Sequence, residues 1–139
     1  VICPAYTFFA TVTPLLFTGA TPVLCDCDEN GNLDPQELKK KITKKTKAVI
    51  ITHMWGIPCQ MDQIINICKH LSSDSYLTFP TVEKHLDARL MNKSGIKTKF
   101  VSFDPPVYPQ LWGEFIYNLS TLDMLFNCGE KSKEIISKT

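Results

Sequence analysis

Apolar and polar positions along the first half of the chain switch between the period of a strand and that of a helix. Val1 to Cys3 reads as the end of a buried strand stopped by Pro4. Tyr6 to Thr18 is apolar and threonine-rich and predicts a helix over its middle. Gly19 is placed to end it, since glycine takes the left-handed C-cap conformation without a steric penalty. Pro22 to Cys27 is a short β-rich run. Pro35 to Ile42 predicts a short helix with Leu38 and Ile42 on one face and Lys39, Lys40 and Lys41 turned to solvent. Ala48 to Thr52 is a continuous apolar run bounded by polar residues, the pattern of a parallel strand buried on both faces. Met61, Ile64, Ile65, Cys68 and Leu71 then recur at helical spacing. Strand and helix alternate three times up to Leu71, which predicts an α/β architecture with a mostly parallel sheet flanked by helices.

From Ser72 onward the pattern loosens. Tyr76 to Phe79 and Phe100 to Phe103 are candidate strands, with a weakly helical stretch from Glu83 to Asn92 between them. Asp104-Pro105-Pro106-Val107-Tyr108-Pro109 must be extended or looped, because its prolines exclude regular helix. The last thirty residues suggest only a short helix around Leu119 to Phe126. No internal repeat or linker divides the sequence, so residues 1–139 are expected to form a single, partial domain.

Composition narrows the function classes. A net charge of +1 over 139 residues gives no electrostatic case for nucleic acid or an anionic membrane. The longest apolar run, Phe8 to Phe17, is too short to span a bilayer and contains Pro14. Val1 opens the chain without a charged leader or an initiator Met, so the expectation is a cytoplasmic protein whose true start lies upstream, that is, a fragment. The six cysteines include no CxxC pair and are expected to be reduced thiols, with Cys25 and Cys27 on one strand face as small core residues.

The stretch Asp26-Cys27-Asp28-Glu29-Asn30-Gly31-Asn32-Leu33-Asp34-Pro35-Gln36-Glu37 admits two sharp readings. Asp26, Asp28, Asn30, Asp34 and Glu37, with Gly31 at the sixth position, match a calcium loop. The same residues make a strand-to-helix connection, with Gly31 in the turn, Asp34 as N-cap and Pro35 in the first helical turn. A calcium loop of this type needs a helix on both sides. Gly19, Pro22 and Val23-Leu24-Cys25 instead favour a strand before it, so the connection is the preferred reading and no metal ligand is assigned.

Several stretches together carry a resemblance. They are Val-Ile-Cys-Pro-Ala-Tyr-Thr-Phe-Phe-Ala-Thr (1–11), Gly-Ala-Thr-Pro-Val-Leu-Cys-Asp-Cys-Asp (19–28), Asn-Leu-Asp-Pro (32–35), Lys-Thr-Lys-Ala-Val-Ile (45–50) and His-Met-Trp-Gly-Ile-Pro-Cys-Gln-Met-Asp (53–62). In this order they resemble the DegT/DnrJ/StrS family of sugar aminotransferases. The likeness is close over residues 1–71 and degenerate from 72 to 139. It implies part of the large domain of a fold-type-I aminotransferase, with pyridoxal phosphate as cofactor. It also implies a keto-sugar nucleotide and an amino donor, usually glutamate, as substrates, and a homodimer as the parent assembly.

Such chemistry requires a lysine to form a Schiff base, a carboxylate to hold a proton on the pyridine nitrogen, and an aromatic face for the ring. The resemblance assigns Phe8 to ring stacking, against the plainer reading that Phe8 and Phe9 are core, and Ser102 of Val101-Ser102-Phe103 to the cofactor phosphate. His53 and Trp55 match a His-x-x-Gly turn whose role stays open between site and structure. Where the family has its pyridine-nitrogen aspartate, Tyr76-Leu77-Thr78-Phe79-Pro80 has no carboxylate, and Glu83 comes several residues late. The Schiff-base lysine position falls on Val107, or on Tyr108 if one proline is inserted, and Trp112-Gly113-Glu114-Phe115 resembles a damaged Gly-Glu-Gly-Gly. Lys84, Lys93, Lys97 and Lys99 are the candidates to take the place of that lysine, against which stands that they sit in a polar run and a Schiff-base lysine needs a desolvated site. The expectation is a chain with no catalytic lysine and little or no transaminase activity alone. The rival is a noncatalytic subunit or interaction module.

Overall fold

The computed structural model describes residues 1–138. Strand β1 (Ile2–Pro4) lies beside β2 (Val23–Cys25) in parallel, with Ile2 opposite Val23 and Pro4 opposite Cys25. On its other side β1 meets the 48–52 segment, which is also parallel. That segment falls short of the predicted strand. It pairs only through Ile2 and Val49, with Ile2 N donating to Ala48 O at 3.0 Å and Ile50 N to Ile2 O at 2.8 Å. The next donor along β1 would be Pro4, which has no N–H.

Helix α1 (Phe9–Phe17) follows β1 and ends as predicted. Gly19 has φ 72°, its amide donates to Leu16 O and that of Ala20 to Leu15 O, a Schellman closure. Helix α2 (Pro35–Lys41) is capped by Asp34, whose Oδ1 accepts from Gln36 N at 2.7 Å, with Pro35 in its first turn. Leu38 turns into the core while Lys39, Lys40 and Lys41 stay exposed. Helix α3 (Met61–His70) buries Ile64 and Ile65. Ile2, Cys25, Leu33, Leu38, Cys59 and Ile64 form the core under the sheet, with Ile42, Val49, Ile51, Met61, Ile67 and Cys68 packed against it. All six cysteines are free thiols. Cys25 is fully buried as expected but Cys27 only half, and burial pushes the Cys25 and Cys59 thiols up to about 11, which makes them packing groups rather than nucleophiles.

Strand β3 (Ser75–Thr78) pairs with β4 (Lys97–Phe100). Lys97 N donates to Asp74 O and Val101 N to Thr78 O, both at 2.8 Å, the even step of a parallel pair. β4 therefore begins three residues before the predicted strand at Phe100, because its register follows β3 rather than its own apolar run. The stretch expected as one weak helix over Glu83–Asn92 is broken into a 3₁₀ turn, Pro80–His85, and helix α4 (Ala88–Ser94). Asp87 causes the break: it takes an N-cap conformation and accepts from Leu90 N at 3.0 Å. Helix α5 (Thr121–Cys128) covers most of the predicted Leu119–Phe126 helix, and α6 (Ser132–Ser137) had no sequence signal.

The chain forms two compact units. The first holds Val1–Tyr76 and Asp87–Thr98, the second Leu77–Leu86 and the residues from Lys99 onward. The second has little apolar core: Met124 is buried, and Ser132 Oγ donates to Met124 O at 3.2 Å. Polar side chains hold much of it together. Tyr108 OH donates to Asp123 Oδ2 at 2.8 Å, Gln110 bonds both ways with the Ile116 backbone, and Asn127 Oδ1 accepts from Leu111 N. Among the described residues no helix is long and apolar enough to cross a membrane.

Candidate functional site

In open parallel α/β sheets, ligands bind beyond the carboxyl ends of the strands, where loops diverge and backbone groups are free. In the first unit these ends lead into three segments: Ala5–Phe8 after β1, Asp26–Asn32 after β2, and Thr52–Gly56 after the 48–52 segment. They meet physically. Thr7 Oγ1 lies 2.8 Å from Thr11 Oγ1 and 3.4 Å from Thr52 Oγ1. Gly31 has φ 77°, and a Cβ built on it would stand 3.2 Å from the Tyr6 ring and 4.0 Å from Met54 Cγ, so a side chain there would be strained and would crowd the Tyr6 ring.

Phe8 sits just before α1 and contributes no side-chain cap to it. Its ring is 68% exposed, as is that of Phe9, with centroids 4.3 Å apart and planes tilted 50°. Within the described residues neither ring is packed into the core.

His53 opens the turn after the third strand segment. Its Nδ1 accepts from Cys59 N at 3.0 Å, a bond that an unprotonated Nδ1 makes, and burial lowers the pKa of the ring. Trp55 follows with φ 55° and is 81% exposed.

Three acidic side chains of the Asp26–Glu37 loop already have partners within the chain. Asp28 Oδ1 accepts from Asn30 N at 2.9 Å and Asn32 N at 3.0 Å, Asp34 caps α2, and Glu37 pairs with Lys40. A strand, β2, precedes it in place of a helix. Among the described residues no group of three His, Cys, Asp or Glu side chains is set to hold a metal ion.

Two polar groups at this end were not singled out from the sequence. One is the Thr7–Thr11–Thr52 hydroxyl chain. The other is Asn32, buried to 1% exposure, whose Oδ1 accepts from Met54 N at 2.9 Å while Nδ2 donates to Ile57 O at 3.1 Å. The only hint in the sequence is an amide side chain inside an Asn-Leu-Asp-Pro run that leads from loop to helix.

The remaining matched positions lie in the second unit. Ser102 is exposed in an irregular segment. Val107 is exposed and Tyr108 is committed to Asp123, and neither side chain carries an amine. Lys84 and Lys99 in this unit are exposed, as are Lys93 and Lys97 in the first. Gly113 adopts φ 69° between exposed Trp112 and Glu114.

The sequence matches the DegT/DnrJ/EryC1/StrS aminotransferase family over residues 1–72. The chain belongs to that family. GDP-perosamine synthase of Escherichia coli O157:H7 is 41% identical over 70 residues, which is 50% of this chain and 19% of that protein. Among solved structures, Helicobacter pylori PseC, an aminotransferase involved in the biosynthesis of pseudoaminic acid, superposes with a TM-score of 0.51 at 30% identity. That match covers 56% of this chain and 21% of PseC. DesI, determined in the presence of its TDP-sugar product, gives 0.51 at 36% identity over 56% of this chain and 20% of its own. The chain thus spans about a fifth of the length of the relatives it matches. Its fold is that of the matching part of a fold-type-I sugar aminotransferase, a family that implies pyridoxal phosphate.

Tested against that cofactor, the described residues fit only in part. Phe8 offers a free aromatic face, and the threonine chain offers hydroxyls beside it. The positions that resemble the covalent anchor are Val107 and Tyr108, and the run 76–80 that resembles the ring-nitrogen partner has no acidic side chain.

Proposed function

We propose that this chain bears the ring-stacking face of a pyridoxal-phosphate-dependent sugar aminotransferase and that it does not transaminate by itself. In the whole protein the reaction would move an amino group from an amino acid, usually glutamate, to a keto-sugar nucleotide. Phe8 would lie against the cofactor ring, and Ser102 would contact its phosphate. The observation that carries the reading is the exposed Phe8 ring at the carboxyl end of a parallel strand. Its place at the end of the sheet where ligands bind in open parallel α/β folds supports that role.

A second reading, a noncatalytic subunit that associates through apolar surface, draws on α1. That helix has no buried residue, and Phe9, Leu16 and Phe17 all face solvent.

Mixing the chain with pyridoxal phosphate, reducing with borohydride and mapping labelled lysines tests the chemistry. The expected result is no label beyond that of a denatured control. A single lysine labelled only in the folded chain would overturn the proposal of inactivity. Noncovalent binding, followed by quenching of tryptophan emission, should weaken about tenfold in Phe8→Ala, the scale of one aromatic stacking contact. Binding indifferent to that substitution would remove the stacking role.

A further inference from the structure

We infer that Asn32 is a positioning residue: it fastens the Asp26–Asn32 loop to the His53–Cys59 turn and thereby holds Trp55 in a left-handed conformation at the open end of the sheet. The inference goes beyond the functional reading above and rests on it only in taking this end as the one that meets ligand.

Trp55 has φ 55° and ψ 21°, a region that side-chain-bearing residues seldom occupy and keep only where their surroundings over-determine it. Its own packing does not hold it there, because the indole is 81% exposed. The constraint comes through the backbone on either side. Met54 N, the amide just before Trp55, donates to Asn32 Oδ1 at 2.9 Å. Ile57 O and Pro58 O, just after it, accept from Asn32 Nδ2 at 3.1 and 3.4 Å. One buried amide thus clamps both flanks of the strained residue. Asn32 is itself immobile: its N–H donates to Asp28 Oδ1 at 3.0 Å, and its carbonyl accepts from Asp28 N at 2.7 Å. The far end of the turn is tied by Cys59 N to His53 Nδ1 and by Cys59 Sγ to Thr52 O at 3.2 Å. Loop and turn therefore form one rim, joined mainly by the three Asn32 side-chain bonds, with Gln60 Nε2 adding a longer contact to Asp28 Oδ2 at 3.4 Å.

Amide hydrogen exchange resolved by residue tests this on four proteins: the parent chain, Asn32→Ala, Trp55→Gly and the double variant. Asn32→Ala should lower protection of the Met54 and Cys59 amides about tenfold or more, the scale of one to three lost hydrogen bonds, while amides inside α3 change little. Trp55→Gly, made with Asn32 intact, should raise Met54 protection several-fold, because glycine occupies that conformation without strain. In the double variant that gain should vanish, since the unclamped turn has already relaxed. Equal loss of protection across α3 and the turn, no loss at either amide, or the same gain from Trp55→Gly with and without Asn32 would each overturn the inference. Should Asn32→Ala fail to fold, Trp55→Gly alone decides: no gain at Met54 would mean that the turn carries no strain for Asn32 to hold.

Discussion

Helices α1 and α3 each follow a segment of the same parallel sheet, yet they solve opposite problems. In α3 the apolar residues fall on one face: Ile64 is buried against Leu38, Cys59 and the sheet, and Ile65 is buried as well. In α1 nearly every side chain is apolar or a threonine, Pro14 interrupts its hydrogen-bond ladder, and none of its residues is buried. Fully burying one large apolar side chain contributes about 1.5–3 kcal/mol. α3 receives that contribution twice, while α1 leaves Leu16 and Phe17 in water. What keeps α1 in place is hydrogen bonding: the Schellman closure at Gly19 and Thr13 Oγ1 donating to Phe9 O within the helix, and the longer-range threonine link from Thr11 through Thr7 to Thr52.

The widest gap between the two helices should appear on truncation. Ile64→Ala is expected to cost about 2–5 kcal/mol through lost burial and a residual cavity, whereas Phe17→Ala, at a site 87% exposed, should stay within about 0.5 kcal/mol. Urea unfolding followed by circular dichroism compares them, and equal losses would show that α1 is packed in solution. Next in size is a cap. Asp34→Ala should remove about 1 kcal/mol, since Gln36 N loses its acceptor at the start of α2, the helix that packs beside α3. An unchanged urea midpoint would mean that Pro35 alone sets the helix start.

A smaller effect should follow pH. His53, six residues before the anchor it provides for Cys59, has its folded pKa lowered by burial, so the unfolded chain binds the proton more readily. Stability contributed there is fully present above the ordinary histidine value of about 6.5 and falls as pH drops below it. Removing the ring in His53→Gln should flatten that part of the stability curve, and a slope that persists would assign it to another group. The least effect on stability should come from Phe17→Ser, which is expected to alter self-association in sedimentation velocity more than it shifts the urea midpoint. A shift in midpoint with no change in association would reverse the contrast between the helices.

Much of the first unit is legible in the sequence alone. The 3.6 period of Met61–Leu71, the Asp34-Pro35 start of α2 and Gly19 after α1 are local signals, decided within a few residues by sterics and capping. The same is true of the turn at Asp26–Asn32, where strand residues before the loop outweighed a full match to a calcium pattern. Legibility failed where a partner strand or a distant side chain decided. The 48–52 segment looked like a strand but loses pairing at Pro4, β4 took its register from β3, and α6 rests on a small contact with α5 rather than on its own pattern.

The candidate site divides along the same line. Sequence by itself determined the alternating α/β order, the family to which residues 1–72 belong and the chemical identity of the side chains at 76–80, 107 and 108, because these depend on residue type and spacing alone. Only the tertiary structure decided that Phe8 and Phe9 face water, that Thr7 and Thr52 meet across 45 residues, and that one buried amide at Asn32 holds a strained tryptophan 23 positions away. Exposure and hydrogen bonding between distant residues are properties of the assembled sheet ends, and no local pattern encodes them.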